Sequence, residues 1–277
     1  MNILYCGDKN IEDGLLISIL SLLKNVNDNL HIYVMTMNMK IKDKEYFAVT
    51  DKAVEYLDGL VKEKNRDSFV IKLDVTDKFI NELPKANMET RFTPFCMLRL
   101  YADMFVELPD KILYLDNDVI CRKDISDLYN ENIEKYELAG VLDYYGKWFF
   151  KKKFYKFDYL NSGVLLLNLK MIRQTGLFRK CRKVCATRNM FMPDQSAINK
   201  LSRAKKKLPG KYNEQRRLHK NTVIQHFTTS FRLFPWIHTL TVKPWQVDRV
   251  HEKLKMHEYD DILDEYTRLV SFMKAES

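Results

Sequence analysis

The sequence predicts an α/β fold, a largely parallel sheet wound with crossover helices, and three observations predict it. Short strand-like runs alternate with amphipathic helical runs through the first half of the chain. The apolar run Lys111-Ile112-Leu113-Tyr114-Leu115 ends on Asp116-Asn117-Asp118, as a strand does when it carries polar groups to the rim of a sheet. No repeat, low-complexity tract or Pro/Gly/Ser linker divides the 277 residues, and their 46% hydrophobic content fills one sizeable core.

Strands are expected near 2–6, 30–36, 68–73, 111–115, 137–142 and 162–168. Between the first two, Leu15 to Leu23 is apolar enough for a helix packed on the sheet, and a more polar helix is expected over 43–64. A helix around 94–104 leads into the strand that ends at Asp116. Beyond 168 the pattern is helical over 170–188 and 194–203, then basic and irregular from Arg203 to Lys220. A strand over Thr222 to Phe227, an aromatic stretch and a helical tail from about 246 complete the chain. The expected division is 1–245 for one domain and 246–277 for a tail packed on or next to it.

The 46 Lys+Arg against 37 Asp+Glu leave a charge of +9, which favours phosphorylated small molecules, nucleic acid or an anionic membrane surface. Five scattered cysteines form no disulfide framework in a chain of this size, so a reduced, cytoplasmic setting is expected. Cys181 and Cys185 lie one helical turn apart and read as packing. The first residues run directly into a strand, without the regions of a secretory signal, and no apolar stretch approaches the ~20 residues of a membrane span. Any membrane contact is therefore expected to be peripheral.

Side chains two apart on an extended chain point the same way, so Asp116 and Asp118 approach one cation together. Two carboxylates side by side repel unless a positive charge compensates them, and oxygen ligands favour Mg²⁺, Mn²⁺ or Ca²⁺. Other polar clusters punctuate strand ends: Gly7-Asp8-Lys9-Asn10, Asp143 and Asn161-Ser162-Gly163. In an open α/β sheet such groups can line one crevice. With 8 glycines and no glycine-rich phosphate loop, a bound pyrophosphate would rely on metal and cationic side chains.

In this order along the chain, these segments resemble glycosyltransferase family 8, retaining transferases of the GT-A fold, over roughly residues 1–245. The resemblance implies a Rossmann-like mixed sheet flanked by helices, with Asp8 and Asn10 at the base and ribose of a UDP-sugar. It implies Arg99, Asn117 and Asn161 as donor contacts, and Asp116 and Asp118 as both donor contacts and metal ligands. Asp194-Gln195, followed by Asn199, matches a D-Q-x-x-x-N motif beside the anomeric carbon, which makes Gln195 and Asp194 the catalytic candidates. Asp143 is the acceptor-side candidate. His226 matches the third ligand for Mn²⁺ (or Mg²⁺), and Lys243-Pro244-Trp245 a K-P-W whose lysine holds a phosphate. Sixteen residues separate His226 from Lys243, more than is usual in the family, and the insertion with Phe231, Phe234 and Trp236 reads as a lid, an acceptor wall or extra core.

The implied activity is transfer of a hexose, galactose or glucose, from a UDP-hexose donor to a glycan or lipid-linked acceptor or a glycoprotein. Two other readings stay open. The hydrophobic run into D-x-D also opens the haloacid-dehalogenase phosphatases, with Asp116 as nucleophile, Asp118 as general acid and Asp260-Asp261 as the available acidic pair. Lys147-Trp148-Phe149-Phe150-Lys151 interleaves cations with rings, as a basic binding module would. Nucleic acid is not expected to be a partner, whereas contact with an anionic membrane at its inner face is compatible with that run.

Overall fold

The computed structural model describes residues 1–89, 93–144, 158–232 and 238–275, with the side chains of 231, 232 and 238 excepted. The basic aromatic run from Lys147 and the Phe234–Trp236 part of the insertion lie outside the described residues.

The strands are β1 (Asn2–Cys6), β2 (His31–Thr36), β3 (Met39–Ile41), β4 (Lys44–Tyr46), β5 (Phe69–Asp74), β6 (Lys111–Leu115), β7 (Val119–Cys121), β8 (Leu138–Leu142), β9 (Leu160–Asn168), β10 (Lys205–Leu208), β11 (Ile224–His226), β12 (Ser230–Arg232) and β13 (His238–Leu240). Seven of them form one mixed sheet in the order β10-β8-β9-β6-β1-β2-β5. β9 runs antiparallel between β8 and β6, and the other neighbours pair in parallel. The C-terminal ends of β1, β6 and β8 therefore share one edge of the sheet with the N-terminal end of β9. All four polar clusters of the sequence meet along that edge.

Both faces of the sheet are covered, which is why β6 and β9 read as nearly unbroken apolar runs. One face packs on α1 (Glu12–Asn25) and α2 (Asp51–Lys64), with the C-terminal helix Asp260–Lys274 against both. That last helix buries Ile262, Leu263 and Leu269, and its Tyr266 hydroxyl donates to Asp13 Oδ1 at 2.9 Å. The other face packs on the 3-10 helix Pro94–Met104 and the helices spanning Leu169–Thr187.

Four expectations require correction. The helix expected over 43–64 begins only at Asp51, where Thr50 accepts from the Ala53 amide at 3.2 Å. Residues 39–46 instead form the β3–β4 hairpin, whose turn places Lys42 in the left-handed region. The helix expected over 170–188 is two helices broken at Gly176, which has φ of +64°. Part of the supposedly irregular basic segment is β10, an edge strand whose lysines replace the apolar alternation that marks a strand. Lys205 donates to Asn199 O and Lys206 pairs with Glu131, so the cations are used locally. Finally, the strand expected over 222–227 is confined to β11, which pairs with β7.

Candidate active site

The β7–β11 pairing sets His226 opposite Val119, and the Phe227 amide donates to Asp118 O at 2.9 Å. This register carries the imidazole to the end of β6. His226 Nε2 lies 3.1 Å from Asp118 Oδ1 and 3.6 Å from Asp116 Oδ2. Gly163 makes the approach possible, since a Cβ there would stand 2.2 Å from His226 Cε1 and 2.7 Å from Asp116 Oδ2.

A chain of amides fixes the polarity of the ring. Asn161 and Gln195 both donate to Asp143 Oδ2, at 2.9 and 3.1 Å. With its Nδ2 so engaged, Asn161 turns Oδ1 to the Nδ2 of Asn213, 2.9 Å away. Asn213 Oδ1 must then face His226 Nδ1, at 3.0 Å, and accept its proton. The other nitrogen, Nε2, is left with a lone pair aimed at two carboxylates. Asp118 Oδ1 is buried and has no hydrogen-bond partner among the described residues. A lone pair and two carboxylate oxygens converging without a proton between them form the donor set of a cation. The chemistry fits a divalent ion of the Mn²⁺ or Mg²⁺ type, held by Asp116, Asp118 and His226.

Positive charge already surrounds the pair. Lys243 Nζ contacts Asp118 Oδ2 and donates to Phe227 O at 3.2 Å. Burial pushes the Asp118 carboxyl up, but the Lys243 ammonium, joined by His226 whenever that ring carries a second proton, more than offsets it and holds it below the usual carboxylate range. On the 3-10 helix, Arg99 is buried and stacks over the Tyr114 ring at 4.0 Å. It donates to Asp116 Oδ1 at 2.9 Å, and Tyr114 donates to the same oxygen at 2.6 Å. Burial would lower the Arg99 pKa, yet Tyr114, Asp116 and Asp194 raise it further, so the guanidinium stays charged.

Arg99 Nε lies 3.4 Å from Asp194 Oδ2, which also accepts from Ser162 Oγ at 3.0 Å. Gln195 Oε1 accepts from the Ser162 amide at 2.9 Å. Ser162 of β9, through its hydroxyl and its amide, thereby holds both members of the Asp-Gln pair. The structure thus brings Asp116, Asp118, His226, Lys243, Arg99, Asp194, Gln195, Asn161 and Asp143 into one bonded network. Asp8, Asn10 and Asn117 stand outside it. Asp8 caps the turn Lys9–Ile11, accepting from Asn10 N at 3.2 Å and Asn10 Nδ2 at 3.0 Å, while Asn117 packs against Gly14.

Asn213 and Ser162 were not singled out by the sequence. Asn161-Ser162-Gly163 was at least visible as a polar break in an apolar run; Asn213, inside a basic segment without periodicity, carries no such signal. A second group, His251, His257 and Asp260, pins the turn before the C-terminal helix. Its rings stack 4.6 Å apart, and Asp260 bonds one imidazole with each oxygen, at 2.7 and 3.1 Å. Asp260-Asp261, the acidic pair of the phosphatase reading, is thus engaged with these histidines and with Lys24.

A mixed α/β sheet whose central strand delivers D-x-D to a histidine at the sheet edge is the arrangement of the GT-A fold. The chain belongs to glycosyl transferase family 8, whose model matches residues 2–248. It is 29% identical over 225 residues to the lipopolysaccharide 1,2-glucosyltransferase of Escherichia coli (strain K12), covering 77% of this chain and 62% of that one. Over 187 residues it is 27% identical to the lipopolysaccharide 1,3-galactosyltransferase of Salmonella typhimurium, covering 65% and 51%. The chain thus spans less than two thirds of the length of these relatives. The fold is similar to the crystal structure of the galactosyltransferase LgtC in complex with donor and acceptor sugar analogues, with a TM-score of 0.67, 16% identity, and 100% and 98% of the two chains covered.

Proposed function

We propose that the chain is a metal-dependent retaining hexosyltransferase that moves galactose or glucose from a UDP-hexose to a glycan, glycolipid or glycoprotein acceptor. The observation that carries this reading is the convergence of ligand atoms from Asp116, Asp118 and His226, with the buried Asp118 Oδ1 left without a donor among the described residues, in a family 8 chain. Residues 1–245 form the transferase domain in this reading, with 246–277 as its helical tail. Asp8, Asn10 and Asn117 hold the nucleotide, and Asn161 the donor sugar. A divalent ion at the three ligands supplies charge that stabilises the leaving diphosphate. Lys243 leaves Asp118 for a phosphate oxygen, and Arg99 holds the Asp116 carboxylate in orientation.

Asp194 makes a poor nucleophile, because Arg99 and Ser162 already hold its carboxylate. The Gln195 amide, fixed between Ser162 and Asp143, is suited to stabilising positive charge at the anomeric carbon. We favour a same-face reaction in which the departing diphosphate oxygen takes the acceptor's proton, with Asp143 on the acceptor side. The +9 charge supports peripheral contact with an anionic inner membrane face; no helix of the described residues is long and apolar enough to cross a membrane.

The test is UDP release from UDP-galactose and UDP-glucose with Mn²⁺ present. Release is expected to stop with EDTA and to fall to near background in Asp118→Ala while the variant remains folded. Turnover that is indifferent to chelation would overturn the metal assignment. A phosphoenzyme trapped by acid quench would favour the phosphatase instead.

A further inference from the structure

A cavity of about 730 Å³ is lined by residues that include His226, Thr228 and Lys255. Its floor includes Leu240, Val242 and Leu254, and its rim carries Arg216, Arg217 and Lys255. We propose that this cavity, resting on the transferase reading above, receives an acceptor glycan bearing a phosphate or carboxylate, held by Arg217 and Lys255.

The rim carboxylates are directed elsewhere. Glu214 Oε1 accepts from the backbone amides of Arg216 and Arg217 at 3.1 and 3.3 Å, and its Oε2 lies 3.6 Å from His219. Glu258 Oε2 accepts from the His257 amide at 3.1 Å. Arg216 is fixed over the Tyr144 ring, 4.8 Å from its centroid. Neither the Arg217 guanidinium nor the Lys255 ammonium has a side-chain partner among the described residues, so two cations face the cavity uncompensated. Gln225 also lines the cavity, and its buried Oε1 has no donor among the described residues.

Lys255 adds a separate argument. It ends a helical turn with φ of 56°, where glycine is the residue without steric cost. A lysine kept in that conformation places a cation at the rim at the expense of backbone comfort. The turn that holds it is pinned by His251, His257 and Asp260.

The experiment compares glucose 6-phosphate with glucose by calorimetry at saturating UDP and Mn²⁺, so that the donor side is filled. Glucose 6-phosphate is expected to bind about tenfold or more tightly than glucose, the scale of a charge-assisted contact. Arg217→Gln should erode the preference severalfold. Lys255→Gly should do the same while its melting temperature holds or rises, because glycine relieves the backbone. Equal binding of the two sugars, or an unchanged preference in both variants, overturns the proposal. So does binding to phosphatidylglycerol vesicles without binding of glucose 6-phosphate, which would assign the cations to a lipid surface. A chain that holds glucose 6-phosphate through these residues yet releases no UDP from any UDP-hexose keeps the anion site and loses the transferase reading; the reverse result loses the anion site alone.

Discussion

Asn213 shows how much of the site rests on a residue that touches neither sugar nor phosphate in the proposed reaction. Its Oδ1 accepts from His226 Nδ1 and its Nδ2 donates to Asn161, so one amide sets both the tautomer of the histidine and the direction of the relay to Asp143. Asn213→Ala should therefore weaken Mn²⁺ binding about 10–100-fold, the usual cost of losing a partner behind a metal ligand. Asn213→Asp, which keeps the acceptor, should lose much less. Calorimetric Mn²⁺ titration of both variants decides it, and equal losses would reduce Asn213 to packing. Gly163→Ala acts on the same ring from the other side. A methyl group 2.2 Å from His226 Cε1 cannot be accommodated without moving the imidazole, so Mn²⁺ affinity should collapse even though the substitution adds one carbon. Retained affinity would show that the ring has another place to stand. At this scale the carboxylate pair of the cluster was legible, because D-x-D after an apolar strand is a local pattern. Their supports were not, since Asn213 reaches His226 only through the fold.

Elements were legible wherever burial wrote an unbroken apolar run. β1, β6 and β9 are buried on both faces and were placed within about two residues, a boundary error usual for sequence reading. The errors fall where burial is partial. The β3–β4 hairpin is largely exposed, and β10, at the sheet edge, carries three lysines, so neither shows the alternation that marks a half-buried strand. The break between the helices Leu169–Thr175 and Leu177–Thr187 was written in a single glycine inside a helical pattern. At φ of +64° an alanine pays for the left-handed backbone, so Gly176→Ala should destabilise the protein by about 1 kcal/mol in urea unfolding. Mn²⁺ affinity should not change, because Gly176 lies at the far end of β9 from Gly163. An unchanged unfolding midpoint would mean that the two helices can be joined without cost.

For the molecule as a whole, the mixed sheet explains why residues as distant in sequence as Asp8, Asp116, Asp143 and Asn161 share one edge. The same arrangement pairs Asp118 with a cation of the protein before any ligand arrives, since Lys243 sits on it. A cation entering alone must share Asp118 with that ammonium. UDP alone gives Lys243 an alternative anion but meets Asp116 and Asp118 without the metal between. In the proposed reaction the two together exchange partners: the diphosphate takes Lys243 and the cation takes Asp118. Their binding should therefore be cooperative, and thermal stability reports it because each ligand stabilises only the folded state. Mn²⁺ or UDP added singly should raise the melting temperature little. The pair, at concentrations about 100-fold above their joint dissociation constant, should add roughly 2.7 kcal/mol and raise the melting temperature by several degrees, more than the two single shifts combined. In Lys243→Ala the exchange is gone, so Mn²⁺ alone should bind more tightly than in the wild type while the cooperativity shrinks. Additive shifts in the wild type, or cooperativity untouched in the variant, would mean that Lys243 stays on Asp118 throughout and that another cation, Arg99 first among them, meets the diphosphate.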